Sequence, residues 1–308
     1  MQNRKTLLFI LNPNAGKGKI RQELFDIIQC FLQNGYEVTV YYTQSAKDAY
    51  TKVLQSAEEY NMLVCSGGDG TLNECVAALL ELKQPPQFAY LPAGTTNDFA
   101  SSLEIPKDMD EAAQVAMNGK HFLDDVGSLN QRIFTYVAAF GSVTEITYQT
   151  PQKVKNTIGY FAYLLEALKK LHNHKSYHLI IQANGKQWED EFIYGIVSNS
   201  HYIAGFKNPF NKFVTLDDGK FEVILIRKPQ NIIDLPMSLT LPTDGYLEKG
   251  MVLMFQTSAL SIQSQEALPW TLDGEYGGSY HFMDIKNHQQ ALDIIIPNWA
   301  SSITNSWK

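Results

Sequence analysis

Apolar residues follow two rhythms along this chain. In the first third, short continuous apolar runs alternate with helical spacings. Residues 6–11 (TLLFIL) form such a run, the mark of a strand buried on both faces of a parallel sheet. Leu24, Ile27, Ile28, Phe31 and Leu32 recur at helical spacing, and Asn34-Gly35 closes that helix. Residues 36–42 alternate as a second strand ending at Thr43, residues 46–60 are helical again, and residues 62–65 are a third apolar run. Leu72, Cys75, Val76 and Leu79 predict another helix, residues 88–91 a fourth strand, and residues 111–118 a short helix. This β-α-β-α-β order predicts a doubly wound α/β start, whose ligands bind outside the carboxyl ends of the strands.

The second rhythm is β. Strand patterns fall at 132–139, 177–183, 192–198, 221–227, 252–255, 259–263 and 292–296, with turn signals such as Asn184-Gly185 and Asp218-Gly219. A β-sandwich or related two-layer β domain is expected. One apolar, aromatic helical stretch interrupts it, residues 158–171. It reads as a helix packed on the sandwich, or alternatively as one wall of a lipid-accepting cleft. His174 and His178 beyond it have i, i+4 spacing. No carboxylate completes a site there and a strand pattern begins at Tyr177, so a solvated basic helix end is expected rather than a metal site.

Several turns at the expected carboxyl edge are rich in glycine and polar residues. Ser66-Gly67-Gly68-Asp69-Gly70-Thr71 joins a strand to a helix, and Thr71 with Glu74 matches a capping box. Glycines let backbone approach oxygen closely, and helix-start N–H groups favour phosphate. Gly68 and Gly70 fail G-x-G-x-x-G at Asn73, and no Walker A pattern occurs. Asp69 would repel a phosphate unless a metal ion or a proton transfer is involved. Asn12-Pro13-Asn14-Ala15-Gly16 and Ala93-Gly94-Thr95-Thr96-Asn97-Asp98 reach the same edge. Taken alone, Thr95 or Asp98 reads as a helix cap. Later, Asp217-Asp218-Gly219 reads either as a hairpin turn or as a hard-cation site made from Asp218 and neighbouring carbonyls. Asp273-Gly274 is again a hairpin signal, with Glu275 just beyond it as a candidate base.

Composition narrows the class. The 308 residues suggest two domains, and 44% hydrophobic with 19% charged content is ordinary for a globular protein. A net charge of −7 argues against nucleic acid as a partner and against general adhesion to anionic membranes. Cys30, Cys65 and Cys75 lie in apolar patterns and read as buried thiols of a reducing compartment. Asn12-Pro13 stops the first apolar run too early for a signal peptide, and no run approaches the roughly 18 apolar residues of a membrane span. A cytoplasmic location is expected.

Asn12-Pro13-Asn14-Ala15-Gly16, Gly67-Gly68-Asp69-Gly70-Thr71 with Asn73-Glu74, Gly94-Thr95-Thr96-Asn97-Asp98-Phe99-Ala100 and Leu272-Asp273-Gly274-Glu275 resemble, in order, the motifs of the diacylglycerol kinase catalytic-domain family. The likeness is strongest to its soluble bacterial lipid kinases, relatives of the sphingosine and ceramide kinases, and covers nearly the whole chain. It implies a phosphofructokinase- and NAD kinase-like α/β nucleotide domain over residues 1–127, with 297–308 returning to it. A β-sandwich lipid-substrate domain over 128–296 and an active site in the cleft between the two are also implied.

Carried over residue by residue, the resemblance implies ATP binding by Asn12, Pro13, Asn14, Ala15, Gly16, Thr43, Gly68, Asp69, Gly70, Thr71, Leu72, Asn73, Glu74 and Thr95. It implies an acidic network of Asp69, Asp98 and Asp125 around catalytic Mg²⁺, and Glu275 as general base. A structural Mg²⁺ would be held by Asp218, with Thr215 and Lys220 as backbone-carbonyl ligands. A homodimer and transient peripheral contact with the membrane that holds the lipid substrate are implied as well. Ser101 departs from the arginine that many members carry there, and Phe221-Glu222 from leucine-aspartate. Diacylglycerol is the expected acceptor. Another lipid alcohol or sphingoid base, an NAD kinase, and a catalytically silent lipid- or nucleotide-binding regulator remain the alternatives.

Overall fold

The computed structural model describes residues 5–18, 20–141, 175–208, 211–229 and 246–300. The chain divides into two compact units. The first runs to Asp125 and resumes at Gln290, and the second spans Val126–Gln289. The return to the first unit therefore begins at residue 290, not at the expected 297. The reason is a single long strand, Glu275–Ile296, whose last residues pair in the first unit, Ile294 opposite Phe88.

The first unit is α/β. Its elements are β1 (Lys5–Leu11), α1 (Ile20–Gln33), β2 (Tyr36–Tyr42), α2 (Asp48–Ser56), β3 (Met62–Gly67), α3 (Asp69–Leu79), β4 (Gln87–Pro92), α4 (Asp98–Ser102) and α5 (Met109–Asn118). The strands lie in the order β2-β1-β3-β4, all parallel. Leu7–Leu11 and every residue of β3 are buried, which is why these strands read as continuous apolar runs. Phe9 meets Phe31 of α1 edge-on at 5.5 Å, so the first helix packs its apolar stripe on the sheet. Cys30, Cys65 and Cys75 are buried and free, as read from their apolar surroundings.

The chain continues through β5 (Lys120–Leu129), β6 (Arg132–Phe134), β7 (Val137–Gly141), β8 (Tyr177–Ala183), β9 (Lys186–Ser198), β10 (Tyr202–Ile203), β11 (Phe206–Lys207), β12 (Phe221–Arg227), β13 (Leu247–Lys249), β14 (Val252–Thr257), β15 (Ala259–Leu272) and β16 (Glu275–Ile296). Pairing in the second unit is antiparallel. β9 pairs with β8 along its first half and with β7 and β12 along its second. β15 likewise pairs with β8 at Ser261–Ser264 and with β7 at Trp270–Leu272. Strands that change partners in this way turn the corners of a two-layer β fold. Phe134, Phe192, Phe221, Phe255 and Trp270 fill its core. The apolar stretch 158–171 lies outside the described residues.

Candidate active site

Three turns meet at the carboxyl edge of the parallel sheet. After β1, Asn12 N donates to Ser66 O at 2.9 Å, and Asn12 Oδ1 accepts from Asn14 N at 3.0 Å, bending the chain. Asn12 Nδ2 donates to Thr71 Oγ1 at 3.1 Å, which ties this turn to the start of α3. Gly16 has φ +53°, and a Cβ there would sit 1.8 Å from Ala93 O beyond β4. A Cβ on Gly94 would lie 2.8 Å from Gly68 Cα and 2.6 Å from Asn97 Oδ1. The glycines are therefore required by backbone packed on backbone. Thr43 follows β2 at the same edge, its N–H donating to Leu11 O at 3.0 Å.

Gly16→Ala tests this packing. Left-handed strain alone costs about 1–3 kcal/mol at a non-glycine residue, and the overlap with Ala93 adds to it. We expect a lower urea midpoint, measured by denaturation.

The expected capping box does not form. Gly68 precedes α3 in extended backbone, its carbonyl accepts from Leu72 N at 3.1 Å, and the helix begins at Asp69, two residues before Thr71. Thr71 is engaged by Asn12. Glu74 instead reaches across to the start of α2, accepting from Lys47 N at 2.6 Å and Ala49 N at 3.2 Å. It satisfies orphan donors of a different helix. Gly68, Gly70 and Asn73 are partly exposed, and Leu72 is buried.

Asp69 is partly exposed in the first turn of α3. Burial, and after it the Asp69 charge, push the Tyr90 hydroxyl well above the ordinary tyrosine range. That hydroxyl stays protonated and donates to Gly67 O at 2.9 Å. Asp98, the first residue of α4, is 1% exposed, and Asp125 on β5 is fully buried. Asp125 Oδ1 accepts from Gln290 N at 2.7 Å. Among the described residues, no three acidic, histidine or cysteine side chains gather closely enough to hold a metal by themselves. Thr95 is exposed beside them.

Asn97 belongs to the turn and motif quoted from the sequence but carries no assigned role there, although Asn before Asp at a helix start is a capping signal. It is 3% exposed with φ +53°, and its Nδ2 donates to Gly94 O at 2.9 Å. Its buried Oδ1 has no hydrogen-bond partner among the described residues.

In the second unit, Glu275 opens β16 and is exposed. Leu272 pairs with Glu275 across Asp273 and Gly274, so the hairpin expected from Asp-Gly is present. The Asp217-Asp218-Gly219 turn precedes β12. Asp218 Oδ1 accepts from Lys220 N at 3.0 Å, and Gly219 has φ +75°. Burial pushes the Asp218 carboxyl above its usual range, outweighing the pull of Lys220. Thr215 is half-buried and Lys220 exposed. His174 lies outside the described residues, and His178 on β8 stands 3.5 Å from Glu189.

Comparison with known proteins places this geometry. The diacylglycerol kinase catalytic domain matches residues 6–129, and the YegS C-terminal NAD kinase beta sandwich-like domain matches residues 140–296. A diacylglycerol kinase of Staphylococcus aureus (strain bovine RF122 / ET3-1) is 34% identical over 301 residues, covering 96% of this chain and 93% of its own. A diacylglycerol kinase of Staphylococcus carnosus (strain TM300) is 32% identical over 289 residues, covering 92% and 94%. The crystal structure of a diacylglycerol kinase from Bacillus anthracis str. Sterne superposes with a TM-score of 0.74 at 22% identity, covering 96% of this chain and 98% of that one. The class these matches define is the lipid kinase with an α/β catalytic part and a β-sandwich-like part. The chain belongs to the diacylglycerol kinase family, and ATP is the phosphoryl donor that membership implies. Among the described residues, no helix is long and apolar enough to cross a membrane.

Proposed function

We propose that this protein transfers the γ-phosphoryl group of ATP to the primary hydroxyl of diacylglycerol, giving phosphatidic acid. The observation that carries the reading is the backbone-on-backbone meeting of the Asn12–Gly16, Gly67–Thr71 and Ala93–Asn97 turns. It occurs in a chain 34% identical over almost its whole length to proteins named diacylglycerol kinase. Phosphoryl transfer needs positioning and charge neutralisation more than covalent chemistry. Backbone N–H groups of the glycine turns receive the phosphates, with Thr43 and Thr95 completing the nucleotide contacts. Glu275 removes the acceptor's proton.

The donors suit magnesium. Asp69, Asp98 and Asp125 offer hard carboxylate oxygens, and the buried, unpartnered Asn97 Oδ1 is a further oxygen acceptor beside Asp98. Magnesium is usually held by one or two carboxylates with phosphates and water, so no closed protein cluster is needed. When bound, the ion neutralises charge on the phosphates. The Asp218 turn is read as a second, structural cation site, the half-buried Asp218 carboxylate with the Thr215 and Lys220 carbonyls supplying the hard oxygens such an ion takes. We expect millimolar Mg²⁺ to raise the thermal midpoint by several degrees and Asp218→Asn to remove most of that rise, read by calorimetry. The protein works as a homodimer in the cytoplasm and touches the membrane surface transiently.

The deciding experiment is transfer of labelled γ-phosphate from Mg-ATP to diacylglycerol, monoacylglycerol, ceramide, sphingosine, undecaprenol and NAD, each offered separately, the lipids in mixed micelles. Label in diacylglycerol is expected. Label confined to another lipid alcohol or to NAD would reassign the acceptor. Nucleotide binding without transfer to any of them would point to a regulator.

A further inference from the structure

We propose that Asp273 is a positioning residue for Glu275, an inference that rests on reading Glu275 as the general base. Leu272–Glu275 is a two-residue hairpin with φ +50° at Asp273 and +85° at Gly274, the left-handed pair of a type I′ turn. Such a turn asks only for Asn, Asp or Gly at its first position, and a side chain there ordinarily faces water. Here it is 4% exposed. Its Oδ2 accepts from Thr135 N at 2.7 Å and Thr135 Oγ1 at 3.0 Å. Its Oδ1 accepts from Tyr136 N at 3.0 Å and Val137 N at 3.1 Å. The Asp273 N–H donates in turn to Val137 O at 2.9 Å.

One residue thus fastens the hairpin tip to the link between β6 and β7 through five hydrogen bonds. Turn shape alone does not call for this. Asn would give the same φ without burying a charge, and a buried carboxylate is costly unless its oxygens are well satisfied. Four charge-assisted bonds, three of them from backbone N–H groups that cannot swing away, hold the tip in one place. Glu275 projects from the backbone two residues on. A base must stand within hydrogen-bond reach of the proton it takes, and an error of about 1 Å costs roughly a hundredfold in rate. The Asp273 anchor removes that error before substrate arrives.

The test uses the full chain with Asp273→Asn, Thr135→Val, Glu275→Gln and the two doubles that carry Glu275→Gln. Turnover, KM for Mg-ATP and thermal midpoint are measured for each. In Asp273→Asn an amide must face N–H donors. We expect kcat to fall roughly tenfold to a hundredfold with KM for ATP within about twofold of wild type. Thr135→Val loses only the hydroxyl donor, and kcat should fall about fivefold. Neither substitution should slow Glu275→Gln further, because the group they position is already disabled.

Wild-type kcat in Asp273→Asn, or an equal further fall in the Glu275→Gln background, would overturn the proposal while leaving the base assignment standing. Full turnover in Glu275→Gln alone would remove the base assignment and the proposal with it. If Asp273→Asn does not fold, Thr135→Val and its double decide by the same criterion.

Discussion

Glu275→Gln is expected to lower kcat by roughly 10²–10⁴, the usual contribution of a positioned general base. Thermal stability should be nearly unchanged, because Glu275 is exposed at the first position of β16 and its backbone pairing with Leu272 does not depend on the side chain. That separation makes the result informative. Loss of activity with an intact midpoint localises the effect to the carboxylate, and an unchanged KM for ATP confines it to the acceptor side. Retained turnover would transfer the base role to another carboxylate, with Asp69 the next candidate.

Asp69→Asn is expected to cost on the order of a thousandfold in kcat, about 4 kcal/mol of transition-state stabilisation. The stability change should be far smaller. A carboxylate in the first turn of a helix is worth about 0.3–1 kcal/mol through the helix dipole, and Asp69 is partly exposed there. The gap between the two magnitudes separates a catalytic carboxylate from a helix-capping one. Raising Mg²⁺ should recover part of the activity if Asp69 acts through the ion. The idea fails if the variant keeps wild-type kcat at every Mg²⁺ concentration.

Much of the first unit was legible because β1, β3 and β4 are buried on both faces, so each is an uninterrupted apolar run. The glycine turns were legible because tight backbone approach leaves no other residue type. The first seventeen residues of β16 were not legible. Its solvent side carries Glu275, Tyr276, His281, Phe282, Lys286 and the polar run from His288 to Gln290, with no clean apolar alternation. It is a strand because β15 pairs with it from Ala259 to Leu272, which is tertiary information. Asp124 and Asp125 likewise fall before the first β pattern read from the sequence, at 132–139, yet both are buried inside β5. At the site, Asp273 was legible as turn chemistry and as part of the Leu272–Glu275 motif but not as an anchor, since nothing local shows that Thr135, Tyr136 and Val137 will turn their N–H groups towards it. Glu74 had a plausible local partner in Thr71, and a distant helix end won.

The strand that closes the first unit is also the last made of the described strands. β4 is complete at Pro92, whereas the residues that cover its open side end at Ile296. Roughly two hundred residues of synthesis separate the two, on the order of ten to forty seconds at ordinary elongation rates. Throughout that interval an apolar strand with one unpaired edge must wait on the ribosome, the kind of surface that recruits chaperones or seeds aggregation. Nascent chains released before Ile296 should therefore bind chaperones and precipitate, even though they already contain the glycine turns of the sheet's carboxyl edge.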